Sequence, residues 1–534
     1  MLDDRVPEAL RARLAVLAPD QRAAATAPPG PILCVAPAGS GKTTTLVARI
    51  AWRAARGTDA GRICAVTFNK RAAEELSTRL GEALTEVGID RTAVRVRTFH
   101  ALGREILADA GVDVSALVDR ATLLKELAGR PVVGAELRRL DDAFSRLILD
   151  PERGPGPQQS GIHTAFAAYR AALAARGALD FDDLVAGALA RLRMDVVLLA
   201  RWRDRCATLL VDEVQDLDRS QLDLALLLTG DARDIFLVGD DDQTIYAWRL
   251  ADVRRILGLA GAIPGLQRVD LETNYRCPAP VVARSVRLIE HGVERFHKHI
   301  RAGPRASGAL VLAADPADPL ARARRLFEAW FGREEGGYAV LARTNAELAP
   351  FAALALERGI EYHAADDGLG LDHPTIERVI AAGAAAAPRS RAAWLAALLA
   401  AAEQGPRSDR AMARSVLSWA VAAGTPDRLA GAIAEARSRR ARLRREDARL
   451  SLATIHSTKG LEFDHVAVIG LDHGTFPSQR SIDEAPDATR ALEEERRLAY
   501  VAWTRAKRSL LLVYDPGAPS PFMLEAFDAA ELAA

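Results

Sequence analysis

The run Ala36-Pro-Ala-Gly-Ser-Gly-Lys-Thr-Thr44 follows an apolar stretch and precedes a helical one. Gly39 and Gly41 let the backbone curl so that its N–H groups face an anion. The helix behind them adds the positive end of its dipole. This is a phosphate-cradling loop of Walker A type, with alanine at its first glycine position. Ala38, Gly39, Ser40, Gly41, Lys42, Thr43 and Thr44 are its expected contacts to a nucleoside triphosphate. Lys42 should reach the β- and γ-phosphates, and Thr43 should offer its hydroxyl to Mg²⁺. Thr208-Leu-Leu-Val-Asp-Glu213 delivers two adjacent carboxylates at the end of another apolar run. Asp212 suits the Mg²⁺ shell, largely through waters. Glu213 suits a general base for an attacking water. Alone, such a pair is often a helix N-cap; beside a phosphate loop it reads as the hydrolytic half of one site.

These loops need a sheet to hold them. Short apolar runs are expected as strands at Ile32–Ala36, Ile63–Phe68, Val94–Thr98, Leu209–Asp212, Ile235–Gly239, Leu310–Ala313, Tyr338–Ala342, His465–Gly470 and Leu510–Tyr514. Helical stretches separate most of them. Continuous apolar strands alternating with helices predict parallel sheets covered on both faces, hence an α/β fold. Ligands of such sheets bind at the carboxyl ends of the strands, where most polar motifs fall. Two stretches break the pattern. Residues 105–175 carry helical patterning and a Pro/Gly/Gln-rich loop, Pro151–Gly161. Residues 381–448 are rich in Ala and Arg, with helical periodicity. Both read as helical insertions; the second is open between a solvated hairpin and a DNA contact.

With 534 residues, two to four domains are expected. Lys+Arg and Asp+Glu number 71 each, so any nucleic-acid site must be a local groove. Only six of the basic residues are lysine: Lys42, Lys70, Lys125, Lys298, Lys459 and Lys507. In so arginine-rich a chain, Lys should persist where a compact ammonium fits and a planar fork does not. The four cysteines are widely spaced, without zinc or iron–sulfur spacing, which predicts a reduced, cytoplasmic chain. No signal segment or membrane span is expected.

Asp212-Glu-Val-Gln-Asp216 resembles the DExxQD signature of superfamily 1 helicases of the UvrD/Rep/PcrA group. Further motifs follow in family order. Leu17-Ala-Pro-Asp-Gln21 resembles the Q motif. Ala65-Val-Thr-Phe-Asn-Lys-Arg-Ala-Ala73 resembles motif Ia, and Arg97-Thr-Phe-His-Ala-Leu102 motif Ib. Leu179-Asp-Phe-Asp-Asp-Leu184 matches the DFDDL element. Val238-Gly-Asp-Asp-Asp-Gln-Thr-Ile-Tyr-Ala-Trp-Arg249 resembles motif III, and Asn274-Tyr-Arg276 motif IV. Val340-Leu-Ala-Arg-Thr-Asn345 follows. Thr454-Ile-His-Ser-Thr-Lys-Gly-Leu-Glu-Phe463 resembles motif V, and Glu493-Glu-Glu-Arg-Arg-Leu-Ala-Tyr-Val-Ala-Trp-Thr-Arg-Ala506 motif VI.

The resemblance implies two RecA-like parallel-sheet domains of the P-loop NTPase class with helical insertions. The first would cover 1–275, with its insertion at about 105–175. The second would cover 276–380 and 449–534, with 381–448 standing in for a full 2B subdomain. It implies an ATP-dependent, Mg²⁺-dependent DNA helicase and single-strand translocase of 3′→5′ polarity. Gln21 would read the adenine, Tyr275 would stack on it and Glu462 would meet the ribose. Gln243 would sense the γ-phosphate, and Arg276 and Arg505 would be arginine fingers, a role that suits a permanently charged fork. Single-stranded DNA would run past the aromatics Phe68, Phe99, Tyr246 and Trp248, which can stack on bases. Thr67, Asn69, His100, Arg249, Arg343, Thr344, Asn345 and His456 would contact its backbone. Of the aromatics, Phe99 is the first that could equally be core filling.

Two departures stand out. Only about a hundred residues separate Asn345 from Thr454, so the 2B element is much reduced. That puts unwinding by the lone protein in doubt and leaves translocation intact. Leu250 replaces the glycine that commonly follows the motif III arginine. From the few residues that follow motif VI, no nuclease domain is expected. Single-stranded DNA and junctions with duplex are the expected partners, with a protein partner possible and no membrane. An accessory ATPase that needs such a partner is the competing motor reading, and a nucleotide-switched scaffold the reading from another class.

Overall fold

In the computed structural model, the described residues are 7–130, 134–154, 161–230, 234–304, 306–316, 319–365, 371–372, 374–386, 390–404, 410, 413, 417, 419–421 and 423–532. They fall into two units. One comprises Met1–Thr273 and Glu294–Ile300; the other comprises Asn274–Val293 and Arg301–Ala534. The chain therefore returns briefly to the first unit after entering the second, an excursion with no sign in the hydrophobic pattern.

The first unit is built on β1 (Ile32–Val35), β2 (Ile63–Thr67), β3 (Arg95–Thr98), β4 (Thr208–Val211), β5 (Ile235–Gly239) and β6 (Gln267–Asp270), in the order β3-β2-β4-β5-β1-β6. All pairs are parallel. Alternate residues of β1, β2, β4 and β5 enter opposite cores. Leu33, Cys64, Leu209 and Leu237 face one side; Ile32, Ala65, Leu210 and Phe236 face the other. That is why the strands read as unbroken apolar runs. Edge strand β6 (Gln-Arg-Val-Asp) is half-exposed and carries no such signal.

The helix Phe99–Asp109 packs into the sheet core through Leu102, Ile106 and Leu107. The separate helical cluster begins beyond it, later than position 105. Helices Arg120–Ala128, Gly134–Leu149 and Ile162–Ala175 close on a small core of their own around Phe144 and Tyr169. Of the loop Pro151–Gly161, residues 155–160 lie outside the described residues.

A two-stranded ladder of β7 (Thr273–Asn274) and β8 (Arg301–Ala302) precedes the second sheet. That sheet comprises β9 (Ala309–Ala314), β10 (Tyr338–Ala342), β11 (Tyr362–His363), β12 (Leu450–Thr454), β13 (Phe463–Val468) and β14 (Ala506–Tyr514). Its order is β11-β12-β10-β13-β14-β9, again all parallel. Between β11 and β12 come the helices Pro374–Ala386, Arg391–Ala402 and Pro426–Leu443. Their Trp394, Leu398, Leu429 and Ile433 share one apolar core with Tyr362 and Leu450 of the sheet and Leu348 of the helix Asn345–Arg358. The described helices of the Ala/Arg-rich stretch thus pack onto their domain instead of forming a freely solvated hairpin. The all-parallel sheets with flanking helices are consistent with two RecA-like domains. No described helix is long and apolar enough to cross a membrane, and none of the four cysteines forms a disulfide.

Candidate nucleotide site and nucleic-acid interface

In the first unit, five of the quoted motifs stand at the carboxyl ends of β1 to β5. The loop after β1 is closed by Ala36 N–H donating to Gly239 O (2.8 Å). Gly41 opens the helix Lys42–Ala55 at φ 82°, and no side chain caps that end. A side chain at Gly41 would be strained, and its Cβ would lie 2.5 Å from Gln21 Nε2. The first amides of the helix are left to an anion. Lys42 Nζ donates to Ala36 O at 2.9 Å. Gln21 is buried; its Nε2 donates to Ser40 O (2.8 Å) and its Oε1 accepts from Ala18 N (3.1 Å), so it is clamped to the loop. Ala38 is buried too, and Ser40 Oγ is buried without a hydrogen-bond partner, a group that a phosphate oxygen would satisfy. Thr43 is half-buried and Thr44 exposed.

Asp212 is buried at the end of β4 and its Oδ1 accepts from Glu213 N (3.0 Å). Glu213 sits at φ 52°, a left-handed conformation that costs an ordinary residue about 1–3 kcal/mol. Strain of that kind gathers where a side chain must be aimed. Gln215 ties the motifs together: its Nε2 donates to Glu213 Oε2, and its Oε1 accepts from Asp240 N (3.0 Å). Gln243, 3 % exposed, donates from Nε2 to Asp240 Oδ2 at 2.6 Å. Base candidate and sensor candidate thus share one network.

Beside this network runs a groove of about 2200 Å³ lined by Phe68, Asn69, His100, Phe181, Trp248 and Arg249, among others. Phe68 and Tyr246 stack at 5.3 Å, Tyr246 meets Trp248 edge-on at 6.0 Å, and the Arg249 guanidinium lies 4.8 Å over the Trp248 ring. Trp248 is 54 % exposed. His100 stacks on Phe181 at 3.8 Å. Burial lowers the His100 pKa to about 4, against the pull of Asp182 and with help from Arg249. At neutral pH it offers a neutral ring, not a charge. Phe99 does not reach the groove. It is 2 % exposed within the sheet core, so it is core filling. Thr67 is fully buried and donates its hydroxyl to Asn69 O (3.1 Å), while the Asn69 side chain caps the next helix through Ala72 N. Thr67 thus shapes the loop, and Asn69, exposed on the groove, spends its side-chain oxygen on the helix cap.

In the second unit, Asn274 Oδ1 accepts from the N–H groups of Arg276 (2.9 Å) and Cys277 (2.8 Å), holding the motif IV turn. Arg276 Nε pairs with Glu462 Oε2 at 2.7 Å, and its Nη1 donates to Thr504 O at 3.3 Å. Arg505, fully buried, donates to Val501 O (2.9 Å), Leu461 O (3.2 Å) and Thr504 Oγ1 (3.2 Å). The turn at Thr504 therefore brings both expected fingers together, with Glu462 beside them. Tyr275 is 48 % exposed. Arg343 pairs with both carboxylate oxygens of Glu495 at 2.7–3.0 Å and also meets Ser481. Thr344 and Glu347 form a capping box at the helix that begins at Asn345. His456 is pushed down to about 4 by burial and by Arg343.

Two contributors escaped the motif reading. Phe181, 59 % exposed, was visible only as the apolar member of an acidic element. Gln215 is part of the DExxQD signature, but its bridge to Asp240 depends on β4 and β5 being neighbours.

The UvrD/REP helicase N-terminal domain family matches residues 17–148 and 135–264, and the UvrD-like helicase C-terminal domain family matches residues 426–516. The chain is 31 % identical to ATP-dependent DNA helicase UvrD2 of Mycobacterium tuberculosis (strain ATCC 25618 / H37Rv), over 93 % of this chain and 78 % of that protein. It is 27 % identical to DNA helicase II of Escherichia coli (strain K12), over 92 % and 84 %. It is 26 % identical to ATP-dependent DNA helicase Rep of the same organism, over 92 % and 90 %. The motifs, the two parallel sheets and these matches agree, and the chain belongs to the UvrD/Rep-like family of superfamily 1 helicases.

Proposed function

We propose that this protein is an ATP-driven motor on single-stranded DNA. It hydrolyses ATP to ADP and phosphate, translocates 3′→5′ and separates strands at junctions with duplex, in DNA repair, replication or defence in the cytoplasm. One loop carries the reading: Gln243 joins the Glu213 network through Asp240, and Tyr246, three residues on, stacks on Phe68, while Trp248 and Arg249 of the same loop line the groove. A loop that touches both sites can pass a change at the γ-phosphate to the DNA. The names of the relatives, ATP-dependent DNA helicases among them, support the same activity.

In this reading Gln21 recognises the adenine. Ala38 to Thr44 hold the phosphates, Lys42 neutralises them, and Glu213 takes the proton of the attacking water. Arg276 and Arg505 supply positive charge to the γ-phosphate, Tyr275 stacks on the base and Glu462 meets the ribose. Thr43 and Asp212 offer one hydroxyl and one carboxylate. Such hard oxygen donors fit Mg²⁺, which they would hold together with phosphate and water and which would neutralise phosphate charge there. Phe68, Tyr246 and Trp248 stack on bases. Asn69, His100, Arg249, Arg343, Thr344, Asn345 and His456 line the backbone path, with Thr67 acting through the loop it shapes.

A second motor reading, an accessory ATPase that unwinds only with a partner, draws on one observation. The helices between β11 and β12 merge with the second sheet's core, which leaves little mass for gripping duplex.

Steady-state ATP hydrolysis with and without single-stranded DNA tests the proposal. Strong stimulation is expected, and Lys42→Ala or Glu213→Gln should lower turnover roughly 100-fold or more. Normal turnover in either variant would overturn the site assignment. Preference for 5′-tailed over 3′-tailed duplex would overturn the polarity. Hydrolysis without strand displacement would favour the accessory reading.

A further inference from the structure

The segment Glu294–Ile300 belongs to the first unit although the chain on both sides of it belongs to the second. It docks at β6: Arg268 donates to His297 O (2.6 Å) and its guanidinium covers the Phe296 ring at 4.6 Å. From there it drives Lys298 into a side-chain environment with no solvent exposure. Lys298 Nζ pairs with Asp240 Oδ1 (2.6 Å), with Asp242 Oδ2 (2.9 Å) and with Asp241. Arg295 adds a bidentate pair to Asp242 at 2.8–2.9 Å, and Phe296 N–H donates to Asp241 Oδ2 (2.7 Å). Three consecutive buried carboxylates would repel one another and shed charge without such cations. Burial alone would raise Asp240, yet Lys298, with Lys42 beyond it, holds it below the usual carboxylate range. Asp241 is still pushed up to about 6, by burial against Lys298.

Asp240 is also the junction already described. Its Oδ2 takes the Gln243 amide and its N–H meets the Gln215 bridge to Glu213. We propose that Lys298 is a positioning residue for hydrolysis: by clamping Asp240 to Asp242 it fixes, through Asp240, the orientation of both Gln243 and Glu213. The ammonium works because one compact charge can face three carboxylates, where an arginine fork would favour one. The inference rests on the reading of Glu213 as base and Gln243 as γ-phosphate sensor.

The test compares Lys298→Met, Lys298→Arg and the double variant Lys298→Met/Asp241→Asn in the full chain. The double variant restores the local charge count without restoring the tie to Asp240. ATP affinity, kcat without DNA and kcat with single-stranded DNA are measured, with thermal unfolding as the folding check. Lys298→Met should lose about 10- to 100-fold in DNA-stimulated kcat, because small misplacements of aligned groups cost that much. ATP affinity should stay within about twofold, since the Lys42 loop is untouched. The double variant should regain thermal stability but not stimulation, and Lys298→Arg should recover part of it. If Lys298→Met fails to fold, the double variant carries the test. Wild-type stimulation in folded Lys298→Met, or full recovery in the double variant, would overturn the proposal and leave Lys298 a charge-balancing residue. Gln243→Ala and Glu213→Gln run alongside; wild-type turnover in those would sink the underlying reading instead.

Discussion

Two non-glycine residues among those described adopt positive φ, and both lie on loops of the candidate site: Glu213 at 52° and Leu250 at 67°. Leu250 stands where a glycine is common, and it keeps the backbone that glycine would adopt. Its side chain, 2 % exposed, makes up in packing what the backbone loses. The two contributions can be separated. Leu250→Ala removes the packing and keeps the strain, so it should destabilise by about 2–4 kcal/mol. Leu250→Gly removes both and should be about 1 kcal/mol less harmful. Denaturant unfolding of the pair checks this; an alanine variant at least as stable as the glycine one would mean that the backbone there is unstrained. Glu347 poses a different residue-scale question. The residue is half-buried, one carboxyl oxygen is enclosed with no partner, and its pKa is pushed up to about 7 by desolvation, against the Thr344 bonds. The folded protein then holds a proton there that the unfolded chain releases. The associated stability is present below the ordinary carboxylate range and lost as pH rises through about 7. Glu347→Gln should keep the capping bond without that loss. Its melting temperature should gain on the wild type between about pH 5 and about pH 8, and the gain should vanish near pH 4. A pH-independent difference would show that the carboxyl is ionised in the fold.

At the scale of elements, the helices Phe99–Asp109 and Asp183–Met194 approach so closely that a Cβ on Gly103 would lie 2.2 Å from Leu184 O. His100 lies in the first turn of the first helix and Phe181 precedes the second, so the spacing of the two sets the ring stack in the groove. Gly103→Ala must push them apart. It should cost about 1–3 kcal/mol and lower DNA-stimulated turnover more than basal turnover. Gly187→Ala is the control on the same pair of helices. Its Cβ would meet Leu107 at ordinary contact distances, 3.6 and 3.7 Å, so helix propensity should make it neutral or stabilising. Equal effects of the two would refute the close-approach argument. What the sequence made legible follows from the same geometry. Strands such as β1, β4, β5 and β10 are buried on both faces and announce themselves as apolar runs, and each binding loop is a contiguous motif at a strand end. Edge strand β6 and the two-residue β11 are too polar or too short to signal. The fate of Phe99 against Phe181 was set by which ring meets the sheet core, a tertiary outcome. Lys298 was conspicuous only as a rare lysine, because its partners lie 57 and 58 positions away and come together only when the segment folds back.

For the whole molecule, equal numbers of acids and bases supply no net positive charge to gather DNA, so under the proposed function affinity comes from the groove itself. The two kinds of groove contact respond differently to salt. Each phosphate neutralised by a cation releases condensed counterions, contributing about 0.7 to the slope of log K against log salt on single strands. A base stacked on a ring releases none. Trp248→Ala should therefore weaken binding by roughly 1–3 kcal/mol at every salt concentration and leave the slope unchanged. Arg249→Gln should lower the slope by about 0.7. Arg343→Gln should lower it less, because Glu495 already holds that guanidinium in a bidentate pair and DNA would have to compete for it. Fluorescence titrations of an oligonucleotide at several salt concentrations read all three. A slope change in the Trp248 variant would mean that the ring acts by supporting Arg249, whose guanidinium it carries, and not by stacking on bases. Equal slope changes for Arg249 and Arg343 would mean that the Glu495 pair opens at negligible cost when DNA binds.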